Sequence, residues 1–426
     1  MTIELTTPVS PDARHPRVAV DPARLLDRVE RFARIGRNAR GGIDGEGFGD
    51  GDVEARAELV REAHRAGLDA WVDAAGNVLV RRPAAPDRAG RRVVLLGSHL
   101  DTVSNGGRLD GAYGVMAALE VVQAVAEADA DPGHEPVAVA FANEEGARFP
   151  QPFWGSKALT GQLDDLPAEP VDNDGVPLRG QLARAGGDLD ALDSAAWPPG
   201  SISAYLELHV EQGPVLEQAG DRIGVVSGIT GRTVLTVDVA GRAGHAGTTP
   251  MELRSDPLTA ASRIVLAVED LARGSRLCRV ATVGRLQVRP GTPNTIPQGV
   301  QLTVDLRDGD PVRLELAEDA VRNAMSVIAG ERGVELTVAV DTRSHPARVD
   351  EALKQAVADS ATELGHPWQV LPSGAGHDAQ IVSGVAPVGM VFVPSIGGVS
   401  HVPEEDTADA DLVAGAEVLL RTALRL

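Results

Sequence analysis

The sequence is poor in sulfur, in aromatic rings and in positive charge, and each shortage removes a class of function. It holds one cysteine, Cys278. A single thiol cannot close an internal disulfide or build a thiolate metal site, so any metal must be held by His and carboxylate. Aromatic residues make up only 3% of the chain, which leaves Val, Leu, Ile and Ala to fill the cores. Forty Lys and Arg face 61 Asp and Glu, a formal charge of −21, and the Arg residues are scattered. Such a surface repels phosphate backbones and anionic lipid heads, so neither nucleic acid nor a membrane is an expected partner. No run approaches the roughly 18 apolar residues of a spanning helix. The N-terminal residues 1–17 lack the apolar core of a secretory leader. The expectation is a cytoplasmic protein acting on a small molecule.

What is present is enough apolar material for two to three domains: 426 residues, 43% of them hydrophobic. Residues 1–20 read as a polar, loosely held arm, 21–36 as a helix, 41–52 as an acidic Gly-rich loop and 53–66 as a second helix. Apolar runs at 93–96, 137–142, 204–208 and 388–393 read as buried strands, with helices over 113–127, 349–363 and from about 408. Strands alternating with helices predict an α/β fold with a partly parallel sheet. Residues 229–342 follow another plan: strands at 233–239, 279–288, 299–306 and 334–340, with helices over 256–273 and 310–330. Ser255-Asp256-Pro257 and Asp310-Pro311 are the helix-opening signals. The order β-α-β-β-α-β is the ferredoxin-like plan. The expected organisation is 1–228 and 343–426 as one α/β domain, with 229–342 inserted into it.

The apolar strands end in unusual polar groups. Gly97-Ser98-His99-Leu100-Asp101 follows the first, Asn143-Glu144-Glu145 the second, His209-Val210-Glu211-Gln212 the third, and Ser400-His401 lies beyond the last. Asp110-Gly111 comes shortly after His99. Ligand sites in open α/β sheets gather at such strand ends. Neutral imidazoles and carboxylates hold Zn²⁺ without thiolate. A loop Asp such as Asp110 can bridge two metals, and two metals can share a water and lower its pKa. Asp101 is placed to orient His99. One of Glu144 and Glu145 can bind metal while the other takes a proton from water. Singly, each has a plainer reading: a surface or core histidine, a helix cap, an ordinary turn. Their recurrence at strand ends favours the metal reading. His245, in Gly244-His245-Ala246-Gly247, is balanced between a turn histidine and an oxyanion donor.

The motifs GSHLDTVSNGGRLDGAYGV (97–115), NEEGARF (143–149), ELHVEQGP (207–214), GRAGHAGTTPMELRSDP (241–257), PNTIPQG (293–299) with DLR (305–307), SGAGHDAQ (373–380) and VPSIGGVSHVPEE (393–405) run in order over most of the chain. This set resembles the M20 metallopeptidase/amidohydrolase superfamily. It resembles most the hydantoinase/carbamoylase branch of N-carbamoyl-L-amino acid hydrolases, β-ureidopropionases and allantoate amidohydrolases. The resemblance implies a metallo-aminopeptidase-like α/β catalytic domain with a ferredoxin-like α+β lid that dimerises. It implies two divalent metals per subunit, Zn or else Mn, Co or Ni, held by His99, Asp110, Glu145, His209 and His401. Glu144 would be the general base and Asp101 the orienter. Gln212 would sit near the substrate amide, Arg307 would clamp a substrate carboxylate, and Gly376 would offer a backbone contact. His245 and Asn294 would stabilise the oxyanion, in this family from the partner subunit. The implied activity is metal-dependent cleavage of the C–N bond in a small carbamoyl or ureido acid by a homodimer. The alternatives are dipeptide or N-acyl hydrolysis and an inactive binding scaffold. Two positions depart from the family pattern. Gly41-Gly42 leads into Ile43-Asp44 where a Thr-Arg pair is usual, and Gly291 replaces the first Asn of the Pro-Asn-x-x-Asn turn.

Overall fold

A computed structural model describes residues 18–88, 90–163, 166, 167 and 169–426. The strands in chain order are β1 (Asp69–Val72), β2 (Val78–Arg81), β3 (Val93–His99), β4 (Glu135–Phe141), β5 (Ile202–Val210), β6 (Ile223–Ile229), β7 (Gly231–Ala240), β8 (Gly244–His245), β9 (Val280–Arg289), β10 (Thr295–Ile296), β11 (Gly299–Asp308), β12 (Glu335–Ser344), β13 (Ala347–Arg348), β14 (Trp368–Ser373) and β15 (Val388–Val393). The described chain divides into two compact units. The larger runs to Ser227 and takes up again at Arg348–Leu371 and His377–Leu426; the smaller is Gly228–Ala347 with Pro372–Gly376.

The larger unit is built on a nine-stranded sheet of order β1-β2-β4-β3-β5-β15-β6-β13, with β14 beside β6. Its centre, β4-β3-β5-β15, is parallel. β2 and β6 flank it antiparallel. The central strands are buried almost throughout, as continuous apolar runs such as VGMVFV require when both sheet faces are covered. The helix Ala112–Glu127 is buried from Tyr113 to Val125, apolar on every side apart from Glu120 and Gln123. It packs on β3, β4 and β5, and the helices Pro22–Phe32 and Asp409–Ala423 pack on it in turn. Because β3, β4, β5 and β15 are parallel, their C-terminal ends emerge at one edge. The segments carrying His99, Glu144-Glu145, His209 and His401 all leave the sheet there.

Several boundaries differ from the sequence reading. The first helix stops at Phe32, not at residue 36. The Gly-rich loop is shorter than expected, since its second helix already begins at Asp50. The reason is Asp52, which is buried and ion-paired to Arg56, also buried, one turn on. The arm over 1–20 lies mostly outside the described residues, but Val18 and Val20 at its end are packed in the core, held by their apolar side chains.

The smaller unit is a four-stranded antiparallel sheet, β12-β7-β11-β9. Two helices, Pro257–Arg273 and Pro311–Arg332, pack on it. With the β8–β10 ladder set aside, the element order is β-α-β-β-α-β. Alternation decides the faces. Val300, Leu302, Val304 and Leu306 are buried in the core, whereas Gln301, Thr303, Asp305 and Arg307 are half-buried on the other side. Both helices open as their sequences require. Asp256 caps Leu258 N and Asp310 caps Val312 N, each followed by a Pro that needs no hydrogen-bond acceptor.

Candidate metal centre

At the C-terminal edge of the parallel strands, four side chains from separate segments, His99, Glu145, His209 and His401, meet around the Asp110 carboxylate. Its Oδ1 lies 3.0 Å from His209 Nε2 and 3.7 Å from His99 Nε2. Its Oδ2 lies 3.0 Å from His401 Nε2, which is itself 3.4 Å from Glu145 Oε1. Each set, His99-Asp110-His209 and Asp110-Glu145-His401, offers donor atoms within 4.8 Å of one another. The two oxygens of one carboxylate thus face two different groups of ligands.

The chain fixes these groups from behind. His99 Nδ1 contacts the Asp101 carbonyl at 2.9 Å, and His209 Nδ1 the Val210 carbonyl at 2.8 Å. Backbone acceptors on Nδ1 turn each Nε2 inward toward Asp110, where it can serve as a ligand; the Gly111 N–H lies 3.2 Å from His209 Nε2. The Asp101 carboxylate turns the other way and accepts from the backbone N–H groups of Glu144 (3.0 Å) and Glu145 (3.1 Å). Gly111 must be glycine: its φ is +64°, and a Cβ there would run into the His99 ring. Gln212, also at positive φ, donates from Nε2 to Asp110 Oδ2 at 3.0 Å, while among the described residues its buried Oε1 has no partner.

Three neighbours were not singled out from the sequence. Glu405 is buried and accepts from the N–H groups of Leu109 (2.9 Å) and Asp110 (3.0 Å) and from the Ser400 hydroxyl, so it ties the Asp110 loop to the His401 loop. Glu207 is buried two residues before His209, on the same side of β5, and accepts from Ser98 Oγ at 2.8 Å. The His377 ring lies 4.7 Å from that of His209, edge to face. The i−2 spacing of Glu207 is a signal of a shared strand face; Glu405 and His377 lie within the 393–405 and 373–380 motifs, but no spacing marks either one, because only tertiary contact shows what it touches.

The electrostatics are those of a cation site. Asp101, Asp110, Glu144, Glu207 and Glu405 are buried together with Glu145 beside them. Among the described residues no Lys or Arg forms an ion pair with Asp110, Glu144 or Glu145. Burial, reinforced by the Glu145 charge, pushes Glu144 well above the ordinary carboxylate range. Burial and the Asp110 charge push Glu145 up to about 8. Burial would raise Asp110 too, but His209 and His401 hold it well below the ordinary range. His401, hydrogen-bonded to Asp110, is raised to about 9. Carboxylates buried at this density either take up protons or are met by a cation. Imidazole nitrogen and carboxylate oxygen are the donors that suit a divalent one.

The remaining predicted residues lie in the smaller unit or at its margin. His245 and Asn294 are brought side by side: Thr295 pairs with His245 in the β8–β10 ladder, and Ala246 N donates to the Asn294 carbonyl at 3.0 Å. Both side chains are exposed. Arg307 is forked onto Asp305. Gly376 is exposed on the loop that follows β14. Among the described residues no helix is long and apolar enough to cross a membrane.

The likeness to known proteins follows the same lines. The chain is 41% identical over 404 residues to an N-carbamoyl-L-amino acid amidohydrolase from Geobacillus stearothermophilus, covering 95% of this chain and 98% of that one. It is 36% identical over 402 residues to an allantoate amidohydrolase from Bacillus subtilis, covering 93% and 95%. A crystal structure of a hydantoinase/carbamoylase-family amidase from Burkholderia multivorans superposes with a TM-score of 0.89 at 36% identity, covering 96% and 98%. The family model of peptidase family M20/M25/M40 matches residues 95–425. That match begins in the strand that ends at His99 and runs into the last helix, so this chain belongs to the M20/M25/M40 family.

Proposed function

We propose that this chain is a metal-dependent amidohydrolase that cleaves the C–N bond of a small N-carbamoyl amino acid or ureido acid. The observation that carries this is the Asp110 carboxylate, divided between a His99-His209 set and a Glu145-His401 set. That layout suits two divalent cations, zinc by preference, with Mn, Co or Ni able to use the same donors. Bound there, such cations would polarise a carbonyl and lower the pKa of a water. The substrate class is supported by the relatives named for carbamoyl amino acids and for allantoate.

The chain's own residues supply the rest. Glu144, whose carboxylate lies 3.8 Å from His99 Nε2, takes the proton of the attacking water and delivers it to the leaving nitrogen. Asp101 serves this step twice, orienting His99 through its carbonyl and fixing the 144–145 backbone through its carboxylate. Gln212 turns its unpartnered oxygen to a substrate N–H. His245 and Asn294 donate to the developing oxyanion, and Arg307 pairs with the substrate carboxylate, with Gly376 as a backbone contact. Residues 229–342 act in this reading as a lid and dimerisation domain of a cytoplasmic homodimer, supported by the family resemblance. The carbamoyl group leaves as ammonia and carbon dioxide, with an amine as the other product.

The test is a panel of N-carbamoyl amino acids, ureido acids and dipeptides, scored by ammonia release from metal-loaded protein. Ammonia from the carbamoyl or ureido compounds is expected. Cleavage of dipeptides without ammonia would move the chain to peptidase chemistry, and metal binding without any turnover would favour a scaffold.

A further inference from the structure

Arg307, the proposed carboxylate clamp, already holds a carboxylate. Asp305 lies two residues before it on β11, so both side chains leave the sheet on the face turned away from the helices. In the antiparallel β7–β11 pair the residue opposite Arg307 is Arg232. Two guanidinium groups directly opposite each other repel. Asp305 lies between them. Its Oδ2 is 2.7 Å from Arg232 Nη2 and accepts from Arg232 Nε at 2.9 Å. Arg307 donates from Nε to Oδ1 and from Nη2 to Oδ2, both at 3.1 Å. Arg307 Nη1 donates to the Gly374 carbonyl at 2.7 Å, in the loop Pro372–Gly376 of the same unit. A guanidinium has five N–H groups. Asp305 takes the side-on fork and Gly374 one more, so among the described residues one N–H on each terminal nitrogen has no acceptor. The Nη1–Nη2 edge, away from Asp305, is the edge that an end-on contact with a second carboxylate uses.

We infer that Asp305, backed by Arg232, is the positioning residue that orients Arg307 as an end-on receptor for the substrate's carboxylate and so selects acids over neutral carbamoyl compounds. This rests on the amidohydrolase reading above. The triad has two positive charges and one negative, so it is locally cationic on a chain of formal charge −21. It gives an anionic substrate a local point of attraction on an acidic molecule. Asp305 keeps its charge: burial would push its carboxyl up, but the hydrogen bonds from Arg307 and Arg232 bring it below the ordinary range. Without that charge the guanidinium loses its fixed plane, and an end-on contact is lost with it.

The test compares wild type, Asp305→Asn and Arg232→Gln, all metal-loaded and full length, on an N-carbamoyl amino acid and on its carboxamide counterpart. The kcat/KM ratio of acid to carboxamide is expected to fall about tenfold in Asp305→Asn, mainly through KM for the acid. Arg232→Gln should move the ratio the same way by a smaller factor. An unchanged ratio, or equal losses on both compounds, overturns the inference while leaving the amidohydrolase reading in place. If thermal melting shows Asp305→Asn unfolded, Arg232→Gln decides by the same ratio. A wild type that turns over no carbamoyl or ureido acid overturns the functional reading and this inference with it.

Discussion

At the scale of single residues, Glu144 carries the sharpest consequence. It sits beside both donor sets, 3.8 Å from His99 Nε2, yet it belongs to neither set. Its backbone N–H is held by Asp101, so an isosteric change leaves the loop in place. Glu144→Gln should therefore retain its metal, by elemental analysis, while kcat drops by roughly 10²–10⁴. A variant that turns over normally would take the base role away from Glu144. The Glu144-Glu145 pair also shows where sequence reasoning stops. From the residues alone, either glutamate suits either task, and only the contact of Glu145 Oε1 with His401 separates them.

At the scale of elements, helices Pro22–Phe32, Asp50–Arg65 and Ala112–Glu127 are joined by a buried ion network as well as by apolar packing. The Glu120 carboxylate, fully buried, accepts from Asp21 N, from Arg24 and from Arg28, while Arg28 also reaches Glu62 and Gln123. Removing Glu120 takes one of its two carboxylates from the buried Arg28 guanidinium and leaves it Glu62 and Gln123. Glu120→Ala is expected to cost about 3–5 kcal/mol in unfolding free energy, read by denaturant titration. A loss below 1 kcal/mol would mean that water replaces the carboxylate there. Elements with local signals were legible. Asp-Pro openings gave the helix starts at Pro257 and Pro311, and the apolar run gave β15 with its observed ends. The strands β1, β2, β6 and β14 were missed. β1 and β2 have four residues each, and their strand character comes from neighbours distant in the chain, such as β4 alongside β2.

For the whole molecule, the donors at 99, 110, 145, 209 and 401 span most of the 426 residues. An unfolded chain of that span offers no preformed site, so metal affinity becomes folding free energy. Stripping the protein with a chelator should abolish turnover and lower Tm by at least about 5 °C, with both restored by a divalent metal. Unchanged melting on full metal removal would show that the buried carboxylates are satisfied without a cation.

The α/β class, the β-α-β-β-α-β order of residues 229–342, the absence of thiolate ligands and the polar groups at strand ends all follow from composition and short-range pattern, so they could be read from the amino acids alone. The tertiary structure decided what each group faces: Asp110 turning one oxygen to His209 and the other to His401, Glu405 locking the two loops, and Asp305 filling one fork of Arg307. Those choices depend on contacts between residues up to some three hundred positions apart. Such contacts form only once the parallel strands set their C-terminal ends along one edge and the antiparallel strands of the smaller unit fix their register.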